Sequence, residues 1–358
     1  MPTPSVERRW LHLTPDRFLF GLLALEGFLL LSEWRCWFAF NEHKGWTVLI
    51  AVASVGVALL LLTLWLVVSV LLRRRFQLGI RSLLAQVICV AIPCSWLAVR
   101  IQQARKQKEV VEAIVKEGGE VGGEVLYDYQ VDASGRYIQG AQPPGPAWLR
   151  KLLGDDFFIH VIEVNVSKTR VRDANLEHFK GLTTLESLFL GRTQVTDAGL
   201  EQLKGLTQLK GLNLLGTQVT DAGLEHVARL FHLEHLSVGD TQVTDAGLER
   251  LKGLTQLKSL YLSDTQVTDA GLERLKGFKQ LKVLYLSNTQ VTDAGLEHLK
   301  GLTQLKGLVL TGTKVTDAGL QHLKGLTQLQ VLYLRRTLVT DQGVKKLQET
   351  LPNCEIDH

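Results

Sequence analysis

The C-terminal half of the chain repeats one phrase at a fixed interval, and nothing else in the sequence narrows the possible folds as much. Val171, Val195, Val219, Val243, Val267, Val291, Val315 and Val339 lie 24 residues apart without an insertion, each opening a version of VTDAGL. A constant period of this length marks one supersecondary unit per repeat. Such a unit cannot bury its apolar side alone, so the stable form is a stack of coils. The full repeat reads L-x-x-L-x-L-x-x-T-x-V-T-D-A-G-L-x-x-L-x-x-L-x-x, as in Leu209, Leu212, Leu214, Thr217, Val219 and Leu224.

Each part of the repeat has a local reading. Alternation in L-x-L sends Leu212 and Leu214 inward and Gly211, Asn213 and Leu215 outward, which predicts a short parallel strand. Thr220 and Asp221 stand where a helix begins, with oxygens placed to accept from its free N–H groups. Leu224 and Val227 face inward at helical spacing, and a glycine such as Gly205 is expected to end the helix in a left-handed conformation. Thr169, Thr193, Thr217, Thr241, Thr265, Thr289, Thr313 and Thr337 form one column. Their buried hydroxyls are expected to make a ladder joining successive coils.

The first hundred residues read differently. Trp46 to Leu72 is 27 residues without a charge, longer than the roughly 20 a membrane-crossing helix needs. Leu83 to Val99 adds 17 uncharged residues, and Phe18 to Phe40 is apolar but carries Glu26, Glu33 and Arg35. Three transmembrane helices are therefore expected, at about 18–40, 46–72 and 78–99, and Glu26 within the first of them reads better as neutral or packed against polar atoms of neighbouring helices than as a transport residue. Arg8, Arg9 and Arg17 precede an apolar run without a small-residue cleavage site, which argues against a removable signal peptide. Residues 1–108 hold 13 Lys and Arg against 5 Asp and Glu, a charge of +8 that leaves −4 for the remainder of a chain with net charge +4. The basic excess thus flanks the apolar segments and does not point to nucleic acid. RRRFQLGIRSLL leading into the third segment reads as a signal anchor, so the expected localisation is a multi-pass integral membrane protein with an extracytoplasmic repeat domain.

The sequence divides into a membrane region at 1–100, a juxtamembrane helix and N-terminal cap at 101–158, the repeats at 159–344 and a C-terminal cap at 345–358. Within the first cap, IQQARKQKEVVEAIVKE reads as a charged helix ended by Gly118 and Gly119, Glu124 to Val131 as a strand, and Ala147 to Leu153 as a helix after PPGP. Val344, Leu347 and Leu351 continue a last helix, and Cys354 with Ile356 supply a closing strand.

Residues 161–344 resemble leucine-rich repeats of the VTDAGL type, similar to the cysteine-containing class that follows the F-box in eukaryotic ubiquitin-ligase adaptors. No F-box precedes them, so that activity does not carry over. The arrangement of RSLL, EAIVKEGGEV, YDYQ and PPGPAWLRKLLGDDFF before the repeats looks like membrane-anchored bacterial leucine-rich-repeat proteins. The resemblance implies an α/β solenoid: a right-handed horseshoe of about eight strand-helix coils, preceded by an α-helical membrane region. It also implies protein binding on the solenoid.

Chemistry-bearing patterns are scarce. His178, His226, His298 and His322 recur because the repeat does, which reads as a solvated helix face. In FHLEHL, strand alternation sends His232 and Glu234 away from His235, a poor zinc arrangement. Neither G-x-S-x-G, H-E-x-x-H nor a phosphate loop is present. The expectation is therefore no enzyme, no cofactor and no metal.

Two readings remain: a membrane-anchored interaction module presenting a concave face to a protein or surface polymer, or a structural envelope spacer without a specific ligand. The outward strand positions discriminate between them. Their middle column is Asn165, Phe189, Asn213, Ser237, Tyr261, Tyr285, Val309 and Tyr333, nearly uncharged and aromatic toward its C-terminal end. Phe189, Asn213, His235, Tyr261, Tyr285, Tyr333 and Arg335 are the candidate partner-binding residues, since Tyr and Arg dominate binding energy at interfaces.

Overall fold

The computed structural model describes residues 80–117, 123–132 and 134–358. The segments expected to span at 18–40 and 46–72, with Glu26, lie outside them. Among the described residues no helix is long and apolar enough to cross a membrane. This corrects the expected span at 78–99 and, with it, the multi-pass integral membrane localisation and the extracytoplasmic placement of the repeats. The helix found there, α1 (Ile80–Glu117), is 38 residues long. The 17 uncharged residues from Leu83 to Val99 cover about 26 Å at about 1.5 Å per residue, short of the roughly 30 Å of hydrocarbon. Gln86 and Pro93 interrupt them, and Arg81 and Arg100 close them off.

The described residues fall into two compact units. One contains α1 up to Arg105 together with Gly140–Ile159, and the other contains Lys106–Gln139 with His160–His358. In the first, α2 (Ala147–Leu153) follows Pro146 and stops at Gly154, whose φ of 88° lets its N–H reach Arg150 O. Phe157 and Phe158 then meet edge to face at 5.1 Å.

The second unit is a solenoid of alternating strand and helix built on one sheet of ten strands in sequence order. These are β1 (Glu124–Tyr127), β2 (Val161–Asn165), β3 (Ser187–Phe189), β4 (Gly211–Asn213), β5 (His235–Ser237), β6 (Ser259–Tyr261), β7 (Val283–Tyr285), β8 (Gly307–Val309), β9 (Val331–Tyr333) and β10 (Glu355–Asp357). β1 runs antiparallel to β2, and every later pair is parallel. The register never slips from β3 to β9, so Leu188, Leu212, Leu236, Leu260, Leu284, Leu308 and Leu332 form one buried column. The strand expected at Glu124–Val131 ends at Tyr127, where Asp128 donates its N–H to His160 O at 2.9 Å and its side-chain Oδ1 accepts from the His160 N–H at 3.1 Å. Gln107, Val110 and Ile114 of α1 are buried beside the first coil, and the Gln107 side chain accepts from the Val161 N–H at 3.2 Å.

Two features of the coil differ from the sequence reading. The threonine column does not join successive coils. Each hydroxyl donates to the carbonyl three residues earlier in its own coil, as Thr265 does to Leu262 at 2.6 Å and Thr289 to Leu286 at 2.7 Å. The shorter reach of Thr compared with Asn explains this, since its oxygen sits one bond closer to the backbone. The left-handed residue is also elsewhere. Gly205, Gly253, Gly277 and Gly301 end one-turn 3-10 segments without a positive φ. The left-handed position is instead the one just before each threonine, occupied by Lys168, Arg192, Gly216, Asp240, Asp264, Asn288, Gly312 and Arg336, with φ between 50° and 71°. That conformation aims the N–H at the next coil, as from Asp264 to Ser287 O at 2.8 Å.

What joins the coils on the helix side is the aspartate of the phrase. Asp269 Oδ1 accepts from the Thr292 N–H at 2.7 Å and its Oδ2 from the Thr292 hydroxyl at 2.6 Å, while that hydroxyl accepts from the Ala294 N–H at 3.3 Å. The same rung links Asp173 to Thr196, Asp197 to Thr220, Asp221 to Thr244, Asp245 to Thr268, Asp293 to Thr316 and Asp317 to Thr340. The threonine caps its helix as expected, whereas the aspartate serves the following coil. A Cβ on Gly199, Gly223, Gly247, Gly271, Gly295, Gly319 or Gly343 would overlap the carboxylate of the preceding rung. The glycine is therefore fixed by close approach rather than by φ.

The ends of the array follow the same logic. The first copy reads VRDANL, with Arg172 and Asn175 where later copies have Thr and Gly, and no aspartate precedes it to be served or avoided. Asn175 Oδ1 instead accepts from the Arg172 N–H at 2.8 Å. In the last copy the Asp341 carboxylate lies 3.0 Å from His358 Nε2.

Candidate functional site

Constant register carries the outward strand positions into straight columns across β2 to β9. Adjacent strands lie about 4.8 Å apart, so seven steps make a strip of roughly 34 Å. Tyr261 and Tyr285 are register partners, and their rings stack at 4.6 Å with planes 28° apart. Burial raises the Tyr261 phenol above its usual range, with Tyr285 adding to this and the Ser259 side chain opposing it. Val309 separates Tyr285 from Tyr333 and is nearly buried, whereas Tyr333 is 38% exposed.

The other candidate residues occupy the same face without joining the stack. His235 is exposed on β5, two residues before Ser237. Asn213 is half-buried and committed to its own turn, its Oδ1 accepting from the Leu215 N–H at 2.9 Å. Phe189 lies three strands from Tyr261, about 14 Å away. Arg335 sits beside Tyr333, but its Nε donates to Asp357 Oδ1 of β10 at 2.8 Å. β10 keeps the 24-residue spacing, with Asp357 opposite Tyr333, and the sequence shows that strand but not that the Arg335 side chain reaches it.

The two ends of the strip are acidic. At the C-terminal edge stand Glu355 and Asp357. At the other, Glu163 pairs in register with Leu126, and Glu124 with Asn165. Burial raises the Glu163 carboxyl above its ordinary value, and the Glu124 carboxylate adds to this. A folded value above the unfolded one means that ionised Glu163 opposes folding. The penalty is present at neutral pH and disappears as pH falls through the folded value to below the ordinary glutamate value of 4.5. Glu163→Gln is expected to raise the thermal midpoint at pH 7 by about 1–2 °C and to make no difference near pH 3.5. An equal shift at both pH values would refute this reading.

On the helix side the charged groups pair with one another. Arg274 meets Glu249 at 3.2 Å, and Arg250 pairs with Glu225. Among the described residues no group of three or more His, Cys, Asp or Glu converges as metal ligands. In FHLEHL, Glu234 is held by Lys258 at 2.6 Å, which lowers its carboxyl, while His232 and His235 are exposed apart from it.

A buried leucine column, short parallel strands in unbroken register and a strand-helix repeat of 24 residues define a leucine-rich-repeat solenoid. The comparisons agree: residues 279–339 match a leucine rich repeat family, and residues 229–252 and 253–276 match a second family of the same description. Among solved structures the chain is similar to internalin C2 from Listeria monocytogenes, at 24% identity and a TM-score of 0.47, covering 70% of this chain and 91% of that one. It is also similar to the internalin inlF from the same organism, at 21% identity and a TM-score of 0.33, covering 51% and 69%. No curated protein matches the chain.

Proposed function

We propose that the chain is a non-catalytic interaction module that binds a protein partner on the outward face of its parallel sheet, centred on Tyr261, Tyr285 and Tyr333. Leucine-rich-repeat domains are typical protein–protein interaction modules. The observation that carries the reading is the aromatic row itself. It occupies a column where other coils hold Asn, Ser or Val in the same register, so the fold does not require a ring there. Tyrosine offers a large amphipathic contact area at low entropic cost, which suits a binding face.

A photo-crosslinker substituted at Ser287, beside Tyr285, is expected to form a discrete adduct in cells, and one at Glu297 on the helix side is not. Replacing the three tyrosines by serine should abolish the adduct while moving the thermal midpoint by only a few degrees, since a stacked pair contributes about 0.5–1.5 kcal/mol beyond its burial. An adduct that survives the triple replacement overturns the binding role. If the chain unfolds instead, the tyrosines serve the spacer reading, in which the sheet face only stabilises the stack.

A further inference from the structure

The residue just before each strand forms a second column along the N-terminal ends of the strands: Glu186, Lys210, Glu234, Lys258, Lys282, Lys306 and Gln330. Backbone bonds hold its members on neighbouring strands, from Lys282 N to Lys258 O at 2.8 Å and from Lys306 N to Lys282 O at 2.7 Å. The column begins by alternating charge, and adjacent coils neutralise one another: Glu186 with Lys210 at 2.8 Å and Glu234 with Lys258 at 2.6 Å. At Lys282 the alternation fails. Lys282 and Lys306 follow Lys258 directly, both exposed, and neither has a carboxylate partner among the described residues. Like charges directly opposite each other on neighbouring strands are unfavourable, so the stack gains nothing from them.

Their position gives the pair a use. Lys282 immediately precedes the strand that carries Tyr285, and Lys306 the strand that carries Val309, the next member of the same column. The same stretch of sheet therefore carries an aromatic pair and, at the N-terminal ends of its strands, two unneutralised ammonium groups.

We infer that the partner presents an acidic peptide segment, with carboxylate side chains meeting Lys282 and Lys306 and an apolar or aromatic side chain against Tyr261 and Tyr285. This rests on the binding reading of the tyrosine face. A nucleic acid fits less well, because two free cations are far from the broad basic surface that backbone-phosphate binding uses.

The test is a display library of random dodecapeptides selected on the full chain, with the recovered peptides and a twelve-nucleotide oligothymidylate then titrated against variants. Recovered peptides are expected to be rich in Asp and Glu. Lys282→Glu is expected to weaken them about tenfold or more and to flatten their salt dependence. It also restores the alternating pattern beside Lys258 and Lys306, so the thermal midpoint should hold or rise, which a merely structural role for Lys282 would not produce. Tyr261→Ser with Tyr285→Ser should weaken the same peptides.

Peptides that need the tyrosines but show neither an acidic bias nor a response to Lys282→Glu would overturn the acidic partner and leave the face intact. Binding indifferent to both sets of variants would overturn both readings. Recovery of no binding peptide, or tighter binding of the oligonucleotide than of any peptide, would overturn the inference in turn.

Discussion

Gly295→Ala is expected to destabilise the solenoid by about 2–3 kcal/mol, although alanine is by about 1 kcal/mol the better residue in a helix interior. The reason lies in the neighbouring coil, because the added methyl would overlap Asp269 Oδ1. Asp269→Ala is expected to cost about 2–4 kcal/mol by removing a charged acceptor from the Thr292 N–H and hydroxyl. On that background Gly295→Ala should fall to within about 1 kcal/mol of neutral, because the carboxylate it struck is gone. The two replacements are 26 positions apart in sequence, so additive urea midpoints would show that the glycine does not answer to the rung. The same cycle on Gly271 and Asp245 should behave alike.

Phe278 is the second position where a large effect is expected. It is 1% exposed, and the equivalent positions in the other coils hold Leu182, Leu206, Leu230, Leu254, Leu302 and Leu326. Phe278→Leu should therefore cost less than about 1.5 kcal/mol, since the neighbours already pack against leucine at this level. Phe278→Ala should cost about 3–5 kcal/mol, because the emptied space cannot be filled by small shifts in a close-packed core. A solenoid transmits such damage only to adjacent coils. Hydrogen exchange should accelerate first in the strands at 259–261, 283–285 and 307–309 and leave those near 187–189 unchanged. Uniform acceleration along the array would contradict nearest-neighbour coupling.

How much was legible in the sequence differs from level to level. Period, strand position and the inward leucines could be read directly, because burial depends only on which residues recur every 24 positions and on strand alternation. Leu284 is buried for the reason that places it in the pattern. The tyrosine row could be read as one face for the same reason, since columns stay aligned when the register never slips. The segment at 78–99 shows the limit of reading by hydropathy alone. Absence of charge made it look like a span, but length and flanking arginines decide whether a helix can cross.

The sequence by itself determined the architecture: an unbroken 24-residue period with leucines at fixed places admits a stacked solenoid and little else. Only the tertiary structure decided what the invariant letters of the phrase do, because their partners lie in other coils. The threonine column closes its own turn, the aspartate reaches forward to the next threonine, and the glycine yields space to an aspartate behind it. Arg335 is held by Asp357, and Lys282 and Lys306 lack the glutamate that their column supplies elsewhere. A sequence shows which residues recur. The direction in which a side chain points, and the charge it meets there, follow from how one coil is set upon another.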